Sequence, residues 1–245
     1  MTSIVLDVWA DTVCPWCYIG KHRIEQAISA SERPAEVTVM YHAFQLDPDT
    51  PVGSGRSVAE RLAEKYGTDR AGGLAMAHRA AEAGRPDGVN IVPELQREAN
   101  SFDSHRLVAL GLAQGGRALQ AAVLERMFSA HFTEGRQIDD HEVLQRVGAE
   151  AGLDERRLGA VLASDDYADH VRADLAAAAE MGIRSVPFTL ANQRVALTGA
   201  HSVEVFGLLL KRALEPEEHD EHAEPVEHAG PVEHADHVEV HQPPK

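Results

Sequence analysis

Asp11-Thr12-Val13-Cys14-Pro15-Trp16-Cys17-Tyr18-Ile19-Gly20 is the stretch on which the reading of this chain turns. It holds the only two cysteines among 245 residues, with two positions between them. Upstream, Ile4-Val5-Leu6-Asp7-Val8-Trp9 is β-branched and aromatic and predicts a strand. Downstream, Ile19, Ile24, Ala27 and Ile28 recur at helical spacing and predict a helix running to about Ser31. The start of a helix offers partial positive charge and unpaired backbone N–H groups, surroundings that favour a nucleophilic sulfur. Pro15 falls at the first helical position, where the missing N–H is no loss. Cys17 lies one turn on, shielded by the helix and within reach of Cys14. The pattern points to a redox pair.

Other uses of two cysteines fit less well. A structural disulfide closing so short a loop would constrain little of the unfolded chain. A zinc knuckle needs two further ligands, and His22 would add a third on the same helix with no fourth in view. An inert buried pair is a poor match to a strand-to-helix turn.

Composition bounds the rest. A hydrophobic fraction of 44% supports a real core. No apolar run approaches the length that crosses a bilayer, and the first residues lack a basic start, an apolar centre and a small-residue cleavage site. The expectation is a cytoplasmic protein, where cysteines that cycle are catalytic. A net charge of −16 argues against nucleic acid or a membrane as partner.

Residues 37–44 alternate and predict a second strand, ended by the turn-rich run from Asp47 to Gly55. From there to Gly182 the texture is helical. Ser57-Val58-Ala59-Glu60 reads as a capping box. Helices are predicted up to Tyr66, around Leu74 and Met76, over 102–112 and 118–132 with Gly115-Gly116 as the joint, and over 141–151, 155–163 and 165–181. Asp154 and Ser164 are expected N-caps. Residues 185–190 and 193–197 predict a hairpin turning at Ala191-Asn192, and 203–214 a last helix. Strand, helix, strand, helical block, hairpin and helix make an α/β arrangement.

Four segments occur in the order of a known superfamily: the redox stretch, Phe44-Gln45-Leu46-Asp47-Pro48, Asn100-Ser101-Phe102-Asp103-Ser104-His105-Arg106-Leu107, and Gly182-Ile183-Arg184-Ser185-Val186-Pro187-Phe188. Over about residues 4–214 the chain resembles the DsbA-like thioredoxin superfamily, in particular its cytosolic FrnE-like branch. That branch is related to the 2-hydroxychromene-2-carboxylate isomerases and the kappa-class glutathione transferases. The resemblance implies a thioredoxin fold built from residues 1–50 and 183–214, with a large inserted all-helical domain over 51–182.

It also implies a thiol-disulfide oxidoreductase, a disulfide reductase or isomerase, in which Cys14 attacks and Cys17 resolves. Pro15, Trp16, Val186 and Pro187 would form the active-site loop and substrate-binding surface, with a cis Val186–Pro187 bond facing the cysteines. Read from the residues alone, Pro187 fits a cis turn or the trans start of an edge strand equally well. The strongly oxidising periplasmic members carry a histidine at the position of Trp16. Its replacement suggests reductase or isomerase work over net oxidation. Substrates would be disulfide-containing proteins or small molecules. No cofactor is required, and the thiol donor would be glutathione or another low-molecular-weight thiol. The alternative is a glutathione-dependent isomerase or transferase, though those enzymes typically place serine where Cys14 stands.

Asp11 fits a turn or cap role, with proton acceptor as the alternative. Lys21, His22 and Arg23 read as a solvated helix face. Trp9 is expected in the core and Trp16 on an exposed apolar docking surface. Residues 215–245 carry ten acidic groups against one lysine and predict a disordered, acidic, His-rich tail. Its His219, His222, His228, His234, His237 and His241 are candidate weak Zn²⁺ or Ni²⁺ ligands, and a solubilising tail is the plainer reading.

Overall fold

The computed structural model describes residues 3–215. The expected tail from residue 216 onward, with all six of its histidines, lies outside the described residues.

Four strands form one mixed sheet in the order β2-β1-β3-β4. They are β1 (Ile4–Ala10), β2 (Val37–Ala43), β3 (Phe188–Ala191) and β4 (Val195–Thr198). β1 and β2 run parallel, Ile4 opposite Val37 and Ala10 opposite Ala43. A parallel pair needs a crossover, and helix α1 (Pro15–Ser29) supplies it. β3 runs antiparallel to β1 and to β4. The hairpin turns on Asn192 and Gln193, both at positive φ, one residue later than the sequence suggests. Asn192 is suited to that conformation and also extends the ladder, exchanging hydrogen bonds with the Val5 backbone through its own N–H and its side-chain oxygen, each at 2.8 Å.

The helical segments follow from their caps. Ser57 and Glu60 form the expected capping box at the start of α2 (Val58–Lys65). Asp69, Asp140 and Asp154 cap α3 (Arg70–Gly84), α5 (His141–Glu150) and α6 (Glu155–Leu162). Ser164 does not cap the next helix. Its hydroxyl accepts from Asp166 N instead, and α7 (Ala168–Glu180) begins later, behind Tyr167 at a φ of 64°. The last helix is α8 (Val203–Leu214).

Between α3 and α5 runs α4 (Phe102–Phe128), continued by a π-helical turn at Ser129–Thr133. The expected joint is present: Gly115 and Gly116 leave helical geometry, and Gly116 sits at a φ of 67°, which only glycine adopts freely. Phe102–Thr133 is long and apolar enough to cross a bilayer by length and composition, against the expectation that no run approaches that length. Its apolar side chains are spent on the core. Val123, Leu124, Met127 and Phe128 are buried, and Phe128 and Phe132 stack against Tyr18 of α1 at 5.1 and 5.9 Å. Such ring pairs add about 0.5–1.5 kcal/mol each beyond the area they bury.

α8 packs on α1 and reaches β1, β3 and β4, while α4 and α7 approach β2. β2 is one edge of the sheet, and α4 covers it at Tyr41 with one side chain. The Gln120 amide accepts from Tyr41 N at 3.2 Å and donates to Tyr41 O at 2.8 Å, standing in for a neighbouring strand.

Candidate active site

Cys14 is the N-cap of α1 and Pro15 its first residue. No side chain caps this helix; the Cys14 carbonyl accepts from Cys17 N at 3.0 Å, leaving its thiol unused by the helix. The thiol instead lies 3.8 Å from the Val186 carbonyl oxygen. The Val186–Pro187 bond is cis, and Pro187 packs on α1 at Gly20, where an added Cβ would meet the proline ring at 2.9 Å. Gly20 therefore sets how closely this loop approaches the cysteines. Residues 185–187, expected as strand, form the loop that precedes β3.

Both cysteines are buried, Cys14 with 3% of its surface exposed and Cys17 with 1%. A strand-to-helix turn suggested otherwise for Cys14, whereas Cys17 is shielded as expected. The Val186 loop covers Cys14, and the core under α1 covers Cys17. Burial pushes the Cys17 thiol well above its usual range, and the hydrogen bond and charge of Cys14 push it further. Trp16, by contrast, is 42% exposed, while Trp9 is in the core as expected.

Three of the matched segments meet beneath the redox turn. Asp11, completely buried, accepts from Val13 N at 3.3 Å and from Leu46 N at 2.7 Å. His105 lies 3.5 Å from the same carboxylate and 3.0 Å from the Phe44 carbonyl. Thr12 and Ser104 hydroxyls are 2.6 Å apart. Asp11 is thus a clasp that joins the redox turn to the 44–48 loop and to α4. Beside that loop an open cleft of about 290 Å³ is lined by Gln45, Asn100, Phe102, Asp103 and Asp139.

Residues 5–211 match the family model of the DSBA-like thioredoxin domain. The chain belongs to the DSBA-like thioredoxin family. Among solved structures it is similar to the probable DsbA oxidoreductase from Streptomyces coelicolor, at 32% identity over 86% of this chain and 89% of that one, with a TM-score of 0.81. Two others share the fold. The cytosolic disulfide reductase DsbM from Pseudomonas aeruginosa, solved with GSH, is 19% identical over 86% and 98% of the chains, TM-score 0.61. A 2-hydroxychromene-2-carboxylate isomerase is 18% identical over 85% and 95%, TM-score 0.62.

A further expectation for this DSBA-like domain fails. Lys21, His22 and Arg23 are not a solvated face. Lys21 is 5% exposed, with its ammonium 2.7 Å from Glu25 and 2.8 Å from Glu125. His22 bonds Glu125 at 3.1 Å, and Arg23 bonds Asp87 and the Ala83 and Ala200 carbonyls. Burial raises the Glu125 carboxyl, but His22 and Lys21 outweigh it and bring it down to about 2. α3, α4 and the loop before α8 cover this part of α1, and helical spacing in one segment says nothing of what covers it. Among the described residues no group of three His, Cys, Asp or Glu is placed to hold a metal ion.

Proposed function

We propose that this protein is a thiol-disulfide oxidoreductase, a disulfide reductase or isomerase, working through Cys14 and Cys17. The observation that carries the reading is the Cys14 thiol at the N-terminus of α1, left free of capping and facing the Val186 carbonyl at 3.8 Å.

Cys14 thiolate attacks one sulfur of a substrate disulfide, and the other sulfur leaves as a thiolate. Cys17 then loses its proton and attacks the Cys14 sulfur. The second substrate sulfur leaves, the Cys14–Cys17 disulfide forms, and the substrate is reduced by two electrons. Two equivalents of a low-molecular-weight thiol such as glutathione return the pair to dithiol, with no bound cofactor. The cytosolic disulfide reductase DsbM, which shares the fold and was solved with GSH, supports such a donor. The raised position of the Cys17 thiol fits the role of resolving group, reactive only once Cys14 carries the substrate. An extended substrate would pair with the Val186 backbone and rest on Trp16, whose exposed ring suits an apolar docking surface. A disulfide-containing protein or small molecule, met in the cytoplasm, is the substrate class. Trp16 in place of a histidine favours reduction or isomerisation over net oxidation.

Insulin reduction by the wild type, Cys14→Ser and Cys17→Ser tests the reading. Turnover is expected in the wild type and lost in both variants. Undiminished turnover by Cys14→Ser would reject it, and glutathione-dependent isomerisation by that variant would favour the isomerase or transferase alternative.

A further inference from the structure

His42 of β2 stands between two carboxylates from distant parts of the chain. Its Nδ1 is 2.9 Å from Asp174 Oδ1 on α7, and its Nε2 is 3.0 Å from Asp7 Oδ1 on β1. A neutral imidazole carries one N–H, so both contacts are satisfied together only by an imidazolium. The carboxylates are held in turn. Ala43 N donates to Asp174 Oδ2 at 2.9 Å, and the Gln193 amide donates to Asp7 Oδ2. Two further titratable groups face the cluster: His170 of α7, 3.9 Å from Asp174 Oδ2, and His105 of α4, which shares a small void with His42. Burial opposes charge on His42, but the two carboxylates outweigh it and hold the ring above the ordinary histidine range.

The ring does more than bridge. It stacks on the Trp9 indole with centroids 4.5 Å apart and planes at 18°. Trp9 meets Phe188 edge-on at 6.0 Å, and Phe188 directly follows Pro187. α7, which carries Asp174, leads through Gly182 into the same loop. His42 is thus joined to the loop facing Cys14 from two sides.

We propose that the His42 imidazolium is a positioning group for the Val186–Pro187 loop, acting through Trp9 and Phe188, so that its loss of a proton loosens substrate docking at Cys14. This rests on the reading of that loop as the docking surface.

Trp9 reports on the ring directly, because a stacked imidazolium quenches indole emission more than the neutral ring does. In the full chain with Trp16→Phe, Trp9 emission is expected to rise with pH at a midpoint above 6.5, the ordinary histidine value. Adding Asp174→Asn lowers that midpoint, and adding His42→Gln removes the step. In the chain with Trp16 intact, the KM for a disulfide peptide is expected to rise about threefold through the same midpoint, and in His42→Gln to show no such step. A missing emission step, or one that persists in His42→Gln, overturns the charged state. An emission step without the KM step overturns the positioning role. Absence of turnover at every pH, with the emission step intact, counts against the thiol-disulfide reading itself and so against the docking role.

Discussion

The Cys14 thiol and the Val186 carbonyl oxygen lie 3.8 Å apart although 172 positions separate the two residues. The contact closes the redox turn against the loop that precedes β3. The Val186 backbone therefore lies beside any group that bonds to the Cys14 sulfur. On the proposed function, the loop that covers Cys14 is also the surface its substrate would meet.

Gly20 holds that arrangement at its distance. In Gly20→Ala the new methyl meets the Pro187 ring at 2.9 Å, and a proline ring has little freedom to move aside. The expected result is a loss of about 1–3 kcal/mol in stability. The KM for a disulfide peptide should rise as the loop is displaced. Thermal melting and steady-state kinetics on one preparation check both.

Gln120 seals the β2 edge by bonding both polar groups of the Tyr41 backbone. Gln120→Leu keeps the volume and orphans a buried N–H and C=O, so a loss of about 2–4 kcal/mol is expected. Urea unfolding should show a lower midpoint with an unchanged slope.

Acid acts on His131 and then on Glu125, and Asp103, Glu60, Glu150 and Glu204, also held low by their partners, share the second window. Burial lowers His131 to about 4, so between pH 6.5 and 4 the unfolded chain binds a proton that the folded one refuses. Stability should fall across that window by about 3 kcal/mol in all, and His131→Gln should flatten the fall. Glu125, held near 2, adds its own loss as pH drops below 4.5 towards 2. Urea midpoints of the wild type and His131→Gln across pH 4–7 isolate the first.

Much of this was legible in the residues. The strand texture of 4–9, the two cysteines and Pro15 at N1 located the redox turn, and the Gly115-Gly116 pair located the bend in α4. Local patterns suffice for such features because each is decided within a few residues. What escaped depends on partners far along the chain. Gln120 looks like any helical glutamine until β2 lies beside it, and His42 looks like a strand residue until Asp7 and Asp174 close on it. The burial of Lys21 likewise needs Glu125, more than a hundred positions away. Ser164 failed as a cap because Tyr167 takes a left-handed turn that no local propensity favours.

The central claim is that Cys14 attacks and Cys17 resolves. Intact-mass measurement of Cys17→Ser and Cys14→Ser after incubation with a disulfide-linked peptide tests it most directly. Cys17→Ser is expected to gain one half of the peptide disulfide, mapped to Cys14, while Cys14→Ser stays unmodified. Equal labelling of Cys17 in the Cys14→Ser chain, or no adduct on Cys14, would contradict the account.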